Sequence, residues 1–504
     1  MSRAESASSG RFRGGGGDRR FGAVESLGRW TPRPIVRKVM STPLVAAAIS
    51  VALGVFSAKL ALTKHPKVAL AVFVSLVGGL AVLLEPGIGI LAYHALAYMR
   101  PQDTVWGMRG IQLTQTVSIF TLGATALHFA LKPDLRFLWR AQTIFLLALW
   151  AMFHISAMTH TMGSDQARWL SYYDKLFLIY FTSLALLNSE RWLVALAWVL
   201  AVSIGYLAVW ANQQYFFSGW YTVHGPGMPG SAYYDENDFA MVVLMALPIL
   251  WALMFHAKSW VIKAGLGFVG LLCGHAIMVT FSRGGFLGLA ATGAVLLLRM
   301  RNRGLAVVIG CIGVAGFVAV TGPRYVKRIV SISDYEEDKS ATGRLASWNT
   351  GFKMMASSPL TGIGFKRYVD AYPAFSQGFA REAHNSWVQL GAECGVIAMG
   401  SHLMLALLTW RSIVRVRRRI PDLPEKSARM SSMLAGAYEG CLVGYMVTAF
   451  FLSMEDFEFY FLLVAMAQIL DRVTEQRLEE EAVVPAVVEE TDASGPARKE
   501  AVPA

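Results

Sequence analysis

Apolar and polar positions are strongly segregated along this chain. Apolar blocks, many of about 16 residues or more, recur between residues 43 and 470 and are separated by short polar stretches. A helix of about 20 apolar residues crosses the hydrocarbon core of a bilayer, so the blocks read as membrane spans. A backbone in lipid must satisfy its own hydrogen bonds, which favours helices, and the ten-residue alternation of a membrane β-barrel is not seen. Spans are expected near 43–62, 68–84, 87–98, 111–131, 141–160, 173–188, 191–211, 238–256, 260–280, 284–299, 304–321, 386–410, 431–452 and 457–470. The predicted fold is all-α: a polytopic transmembrane helical bundle of about 12–14 spans, with 87–98 short enough to be re-entrant.

Short-loop lysines and arginines set orientation. The basic segments are the N-terminus, Lys132–Arg140, Arg299–Arg303 and Arg411–Arg429, and about 14 spans would put all four on the cytoplasmic face. Segment 212–237 has no Lys or Arg. The pattern divides the chain into a disordered basic cytoplasmic N-terminus (1–42), an N-terminal bundle (43–321), one long outer loop (322–385), C-terminal spans (386–470) and a disordered cytoplasmic tail (471–504). No cleavable signal pattern precedes Thr42. Inside the long loop, Leu345, Trp348, Phe352 and Met355 recur at spacings of three and four, predicting an amphipathic helix on the membrane surface. Pro359 ends it, and Gly362 and Gly364 permit a tight turn.

Composition adds little beyond this. Charged residues make up 16%, well below the share usual in soluble domains. The net charge of +12 sits in the N-terminus and short loops, so it reads as orientation and not as nucleic-acid binding. Cys273, Cys311, Cys394 and Cys441 all lie in apolar segments without a C-x-x-C, which reads as buried small residues and not as zinc or disulfides. No Walker A loop, H-E-x-x-H or dinucleotide motif occurs, so no cofactor is expected, and energy must come from a gradient or an activated substrate.

The chemistry-bearing residues gather on the outer side. His384 and Asn385 stand at the mouth of a span, Arg344 beside the amphipathic helix, and Arg283 at another outer mouth. A guanidinium pairs bidentately with phosphate oxygens, fixed cations stabilise a departing diphosphate, and a neutral imidazole accepts a hydroxyl proton. Each residue also has a plain structural reading. Arg283 fits an interface anchor, Arg344 fits a partner of Glu336, Glu337 or Asp338, His384 a structural histidine, and Asn385 a helix N-cap.

Beyond these physical readings, Gly343-Arg344…Trp348, Ser358-Pro359-Leu360-Thr361-Gly362-Ile363-Gly364-Phe365 and Ala383-His384-Asn385, with Glu393-Cys394-Gly395, resemble the signature loop of the O-antigen ligase and polymerase superfamily. Ser282-Arg283-Gly284-Gly285 and Asp235-Glu236-Asn237-Asp238-Phe239-Ala240 are similar to two further elements of it. Tyr98-Met99-Arg100-Pro101-Gln102 resembles the branch of O-glycosylation ligases associated with exosortase systems. The resemblance covers about 65–470. It implies a multi-pass enzyme of the bacterial inner membrane with its loop in the periplasm. It also implies a glycan donor on undecaprenyl diphosphate, a glycan, lipid or protein acceptor, and no metal. The implied catalytic residues are His384, Arg344 and Arg283, and Asn385 and Asn237 the implied substrate contacts. One family arginine before the Asn element is missing, His224 lying in that region, so Arg100 or Lys175 is expected to replace it. Polymerisation would use the same residues. A metal-dependent transferase would use Asp456-Phe457-Glu458 or Glu336 to Asp338. A lipid or polysaccharide transporter would need more intramembrane charge than Glu439 and an internal repeat, which the sequence lacks.

Overall fold

The computed structural model describes residues 78–105, 112–131, 138–220, 222–227, 233–300, 302–320 and 339–493. The chain separates into two units, Met1–Gly78 and Gly79–Ala504, and only the last residue of the first is among those described. Residues 1–42, the expected span 43–62, most of 68–84 and the loop start 322–338 lie outside them.

The described residues are helical, with no strand among them. In chain order the helices are α1 (Pro86–Met99), α2 (Pro101–Thr104), α3 (Leu113–Leu131), α4 (Ala141–Met158), α5 (Ser164–Leu186), α6 (Glu190–Phe217), α7 (Glu236–His256), α8 (Trp260–Val279), α9 (Arg283–Arg299) and α10 (Arg303–Val320). They continue as α11 (Lys339–Ser357), α12 (Tyr368–Phe375), α13 (Ser386–Arg419), α14 (Glu425–Ala449) and α15 (Glu458–Ala493). Every span expected between 87 and 470 falls on one of these helices. Among the described residues, five are long and apolar enough to cross a membrane: α4, α6, α7, α8, and α13 with the short turn that follows it. The fold is therefore an all-α polytopic bundle.

Two helices form its centre. Phe239 to Ala246 of α7 and Phe459 to Leu470 of α15 are buried on all sides, as expected of helices surrounded by others. α13 packs along α4, α14 and α15, and α7 along α6, α8 and α14. Small residues allow the closest approaches. A Cβ added at Gly285 of α9 would lie 2.7 Å from that of Ala240 on α7. Cys273, Cys394 and Cys441 are buried as expected, whereas Cys311 is exposed on α10.

Charge separates the two ends of the bundle. At one end Asp471 receives Arg415 (2.7 Å) and Arg419 (2.9 Å), and Glu475 receives Arg140 and Arg419. Buried Glu439 is held there by Arg299 and Arg417, which makes it an interhelical partner. α15 runs through this cluster to Ala493, well past the span end expected at 470. Asp471 and Thr474 are buried there, so the tail expected from 471 begins as packed helix. The reason is that each acid meets a guanidinium contributed by α13 or by the residue before α4. His384 precedes α13 and Arg283 starts α9, at the ends opposite Arg419 and Arg299, and Arg344 lies on α11.

The loop helix forms where the spacing predicts it. Trp348 is half-buried and Met355 buried in α11, but Leu345 and Phe352 are exposed. Its protein-facing side also holds Ser347, Thr350, Gly351 and Met354, and Gly351 lies so close to Val388 and Tyr368 that a Cβ there would clash.

Candidate functional site

The site is built on a broken helix. Gly395 interrupts α13 with φ 84° and ψ 171°, a conformation essentially confined to glycine. The break would strand backbone groups within the bundle, and the turn after Pro359 supplies their partners. Ile363 N–H donates to the Ala392 carbonyl (2.9 Å), Gly364 N–H to that of Glu393 (3.2 Å), and Val396 N–H to that of Pro359 (2.8 Å). Ser156 Oγ of α4 also donates to the Glu393 carbonyl at 2.6 Å. Gly362 has φ 70° and seats its Cα directly on the Glu393 backbone. The Pro-x-x-Gly-x-Gly turn and the Glu-Cys-Gly segment are thus two halves of one hydrogen-bonded unit.

The Glu393 side chain then fixes the loop. Its carboxylate accepts from the N–H groups of Lys366 (3.1 Å) and Tyr368 (3.2 Å), which start α12. The Lys366 ammonium reaches Glu455 at 2.6 Å and Asp456 at 3.5 Å, and lies 4.8 Å over the Trp169 ring. Burial works against that charge, but Asp456 and Glu455 more than offset it and hold the Lys366 pKa well above its ordinary value. Asp456 therefore pairs with Lys366, while Glu458 accepts from Tyr93 Oη at 2.8 Å. No group of three or more metal-ligating side chains occurs among the described residues.

His384 ends the loop. Asn385 is the N-cap of α13, its Oδ1 accepting from Trp387 N–H (3.1 Å) and Val388 N–H (3.0 Å), as the structural reading expected. Its Nδ2 donates to the Phe450 carbonyl at 3.2 Å. Ser386 Oγ donates to the Leu452 carbonyl at 2.8 Å, and the His384 N–H to Ser453 Oγ at 3.0 Å. α11 is stitched alongside: Trp348 Nε1 donates to the Ala383 carbonyl (2.8 Å) and Ser347 Oγ to that of Glu382 (2.9 Å). Arg344 stands one turn before these two residues. Burial and the charges of Arg344 and Arg381 lower the His384 pKa from 6.5, with Asp235 opposing them, so the imidazole is neutral near pH 7.

The two upstream elements also meet. Ser282 Oγ donates to Asn237 Oδ1 at 2.7 Å and caps α9 by accepting from Gly285 N–H at 3.0 Å. Asp235 caps α7 in the same way, accepting from Asn237 N–H at 2.8 Å. A Cβ on Gly284 would lie 3.5 Å from that of Phe451. The turn 450–456 therefore borders Arg283 on one side and His384 on the other, with Trp348 of α11 packed edge-on against Phe450.

Arg100 joins the rim of this region. It pairs with Asp103 and lies 5.5 Å over the Tyr233 ring, just before the Asn element. Lys175 is exposed on α5 and takes no part in these contacts. Among the described residues, Arg100, Tyr233, Phe281, Lys366 and His384 are the non-glycine residues with left-handed backbones, and all five border this end. Such strain costs about 1–3 kcal/mol per residue and concentrates where function fixes geometry. Sequence reading did not find Ser453, Gln389, Lys366 or Glu455. The 450–456 turn offered only Asp456, the first residue of the acidic D-x-E at 456–458, and its contacts are made across more than 60 residues of chain.

Residues 268–403 match the O-antigen ligase family, a stretch that runs from within α8 to within α13 and contains Arg283, Arg344, His384 and Asn385. Asn237, Arg100 and the 450–456 turn lie outside the matched stretch. No curated protein matches the chain.

Proposed function

With the O-antigen ligase match as premise, we propose that this protein transfers a glycan from undecaprenyl diphosphate to an acceptor hydroxyl at the periplasmic face of the bacterial inner membrane. The acceptor oxygen attacks the anomeric carbon, and its proton passes to the neutral imidazole of His384. The bond from that carbon to the diphosphate oxygen breaks, and the electron pair leaves with the lipid diphosphate. Arg344 and Arg283 hold the departing charge, a task a guanidinium performs at any working pH. Asn385 positions His384 by capping α13, and Asn237 orients the segment carrying Arg283 through Ser282. Arg100 serves a further polar contact of the substrate, whereas Lys175 stands apart from the site. Transfer requires no metal, because the arginines carry the electrostatic role.

The observation that supports this most is a neutral His384, in a strained backbone, within the field of Arg344. The test is glycan transfer from the purified lipid-linked donor, with products identified by mass spectrometry. His384→Ala and Arg283→Ala should each reduce transfer by about a hundredfold or more, as removal of a general base or a charge-stabilising donor does. Full transfer by either folded variant would overturn the mechanism.

A further inference from the structure

We infer that Ser453 and Gln389 are positioning residues, which hold His384 in the one backbone conformation that aims its imidazole. The inference rests on the reading above, in which His384 takes the acceptor proton. His384 has φ 47°, a left-handed value uncommon outside glycine, and its neighbours hold it there. The enforcement is visible bond by bond. His384 N–H donates to Ser453 Oγ at 3.0 Å, and the preceding N–H, of Ala383, donates to Gln389 Oε1 at 3.1 Å. Ser453 O–H donates to that same Gln389 oxygen at 2.6 Å. One buried amide oxygen thus gathers two donors and ties two consecutive peptide units to the first turns of α13.

The orientation of that amide is fixed from its other end. Gln389 Nε2 faces Glu393 Oε1 at 3.4 Å, and the Glu393 carboxylate is itself held by two backbone N–H groups at the start of α12. A carboxylate flanked by N–H donors acts there as an acceptor, so it selects the NH₂ side of the amide and leaves Oε1 for the loop. The chain of contacts therefore runs from the helix break, through Glu393, Gln389 and Ser453, to the backbone of the reacting histidine. Neither Ser453 nor Gln389 is placed to touch the diphosphate in this scheme. Their effect on the chemistry passes through His384, and Ser453 also stands beside the Glu382 carboxyl group.

The experiment compares Ser453→Ala, Ser453→Thr, Gln389→Leu and the Ser453→Ala/Gln389→Leu double variant in the transfer assay, with His384→Ala alongside and thermal unfolding measured for each. Ser453→Ala and Gln389→Leu should each lower kcat by about 10- to 100-fold, the scale of a misplaced catalytic group, with the donor KM changed by less than about threefold. Ser453→Thr restores the hydroxyl and should return kcat to within about threefold of the parent. Because both residues act through one chain, the double variant should be no more than about threefold slower than the slower single. A Ser453→Ala variant that keeps parental kcat while His384→Ala is inactive would overturn this inference and leave the transfer mechanism standing. Losses that multiply in the double variant, or no recovery with threonine, would overturn it equally. An active His384→Ala would instead remove the mechanism on which it rests.

Discussion

Replacing Gly395 by alanine tests whether the helix break is the foundation of the site. At φ 84° and ψ 171° an L side chain is strained by about 1–3 kcal/mol. The added Cβ would overlap the Leu360 carbonyl and lie 2.9 Å from the Pro359 oxygen, so backbone and not a flexible side chain must move. That movement threatens the three bonds joining the turn to α13, and each buried group left unmet costs about 1–3 kcal/mol. Strain plus one or two such losses gives about 2–9 kcal/mol, a large part of an ordinary protein's stability. The control is Gly400→Ala, one and a half turns along the same helix, where an added Cβ meets nothing within 4 Å. There alanine should be neutral or stabilise by up to about 1 kcal/mol through helix propensity. Unfolding of purified protein in mixed micelles, followed by tryptophan fluorescence, measures both. A Gly395→Ala protein within about 1 kcal/mol of the Gly400→Ala control would refute the reasoning.

Two more outcomes follow from charges around the site. Proton acceptance needs a neutral imidazole, so kcat/KM should stay level near neutrality and fall as pH drops through the lowered His384 pKa, below 6.5. Arg381→Gln removes a cation that lowers this pKa and should move the acid limb upward, whereas Asp235→Asn removes the opposing anion and should move it downward. An acid limb that moves the other way, or not at all, in pH–rate profiles of both variants would sink the assignment of His384 as the titrating group. Lys366→Met leaves Glu455, which is 2% exposed, beside Asp456 without its cation, and should destabilise by about 3–5 kcal/mol. Lys366→Met/Glu455→Gln should recover part of that loss in the same unfolding measurement, since the cost lies in the uncompensated charge.

The helices were readable in the sequence because lipid burial imposes long apolar blocks, and each block between 87 and 470 falls on a helix. What the blocks conceal is where a helix is broken or extended for polar reasons. Glu393 and Gly395 sit inside a predicted span, and only the docked 359–364 turn reveals why a carboxylate and a glycine stand there. Asp471 and Glu475 looked like the start of a solvated tail, because their arginine partners lie more than 50 residues away in sequence. The stripe through Leu345 and Phe352 predicted the helix, while the burial of Ser347 and Gly351 on its protein-facing side carried no apolar signal. His384, Arg344 and Arg283 stood out as candidates through their chemistry together with the motif resemblance, and all three lie in the stretch that matches the O-antigen ligase family. The turn that borders His384 and Arg283 could not, because main-chain carbonyls at Phe450 and Leu452 do much of the holding and carry no signal in residue identity.

α15 has a consequence for how the molecule is made. The ribosome delivers it after the other described helices, yet it carries the acids that Arg140, Arg415 and Arg419 meet, and the apolar run from Phe459 to Leu470 that fills the centre. It also begins at Glu458, just beyond the acids that hold Lys366. Until it inserts, guanidiniums at one end and an ammonium at the other await their counter-charges. Both ends therefore depend on this one helix, and a nascent chain cannot display a finished site before α15 has been made and inserted.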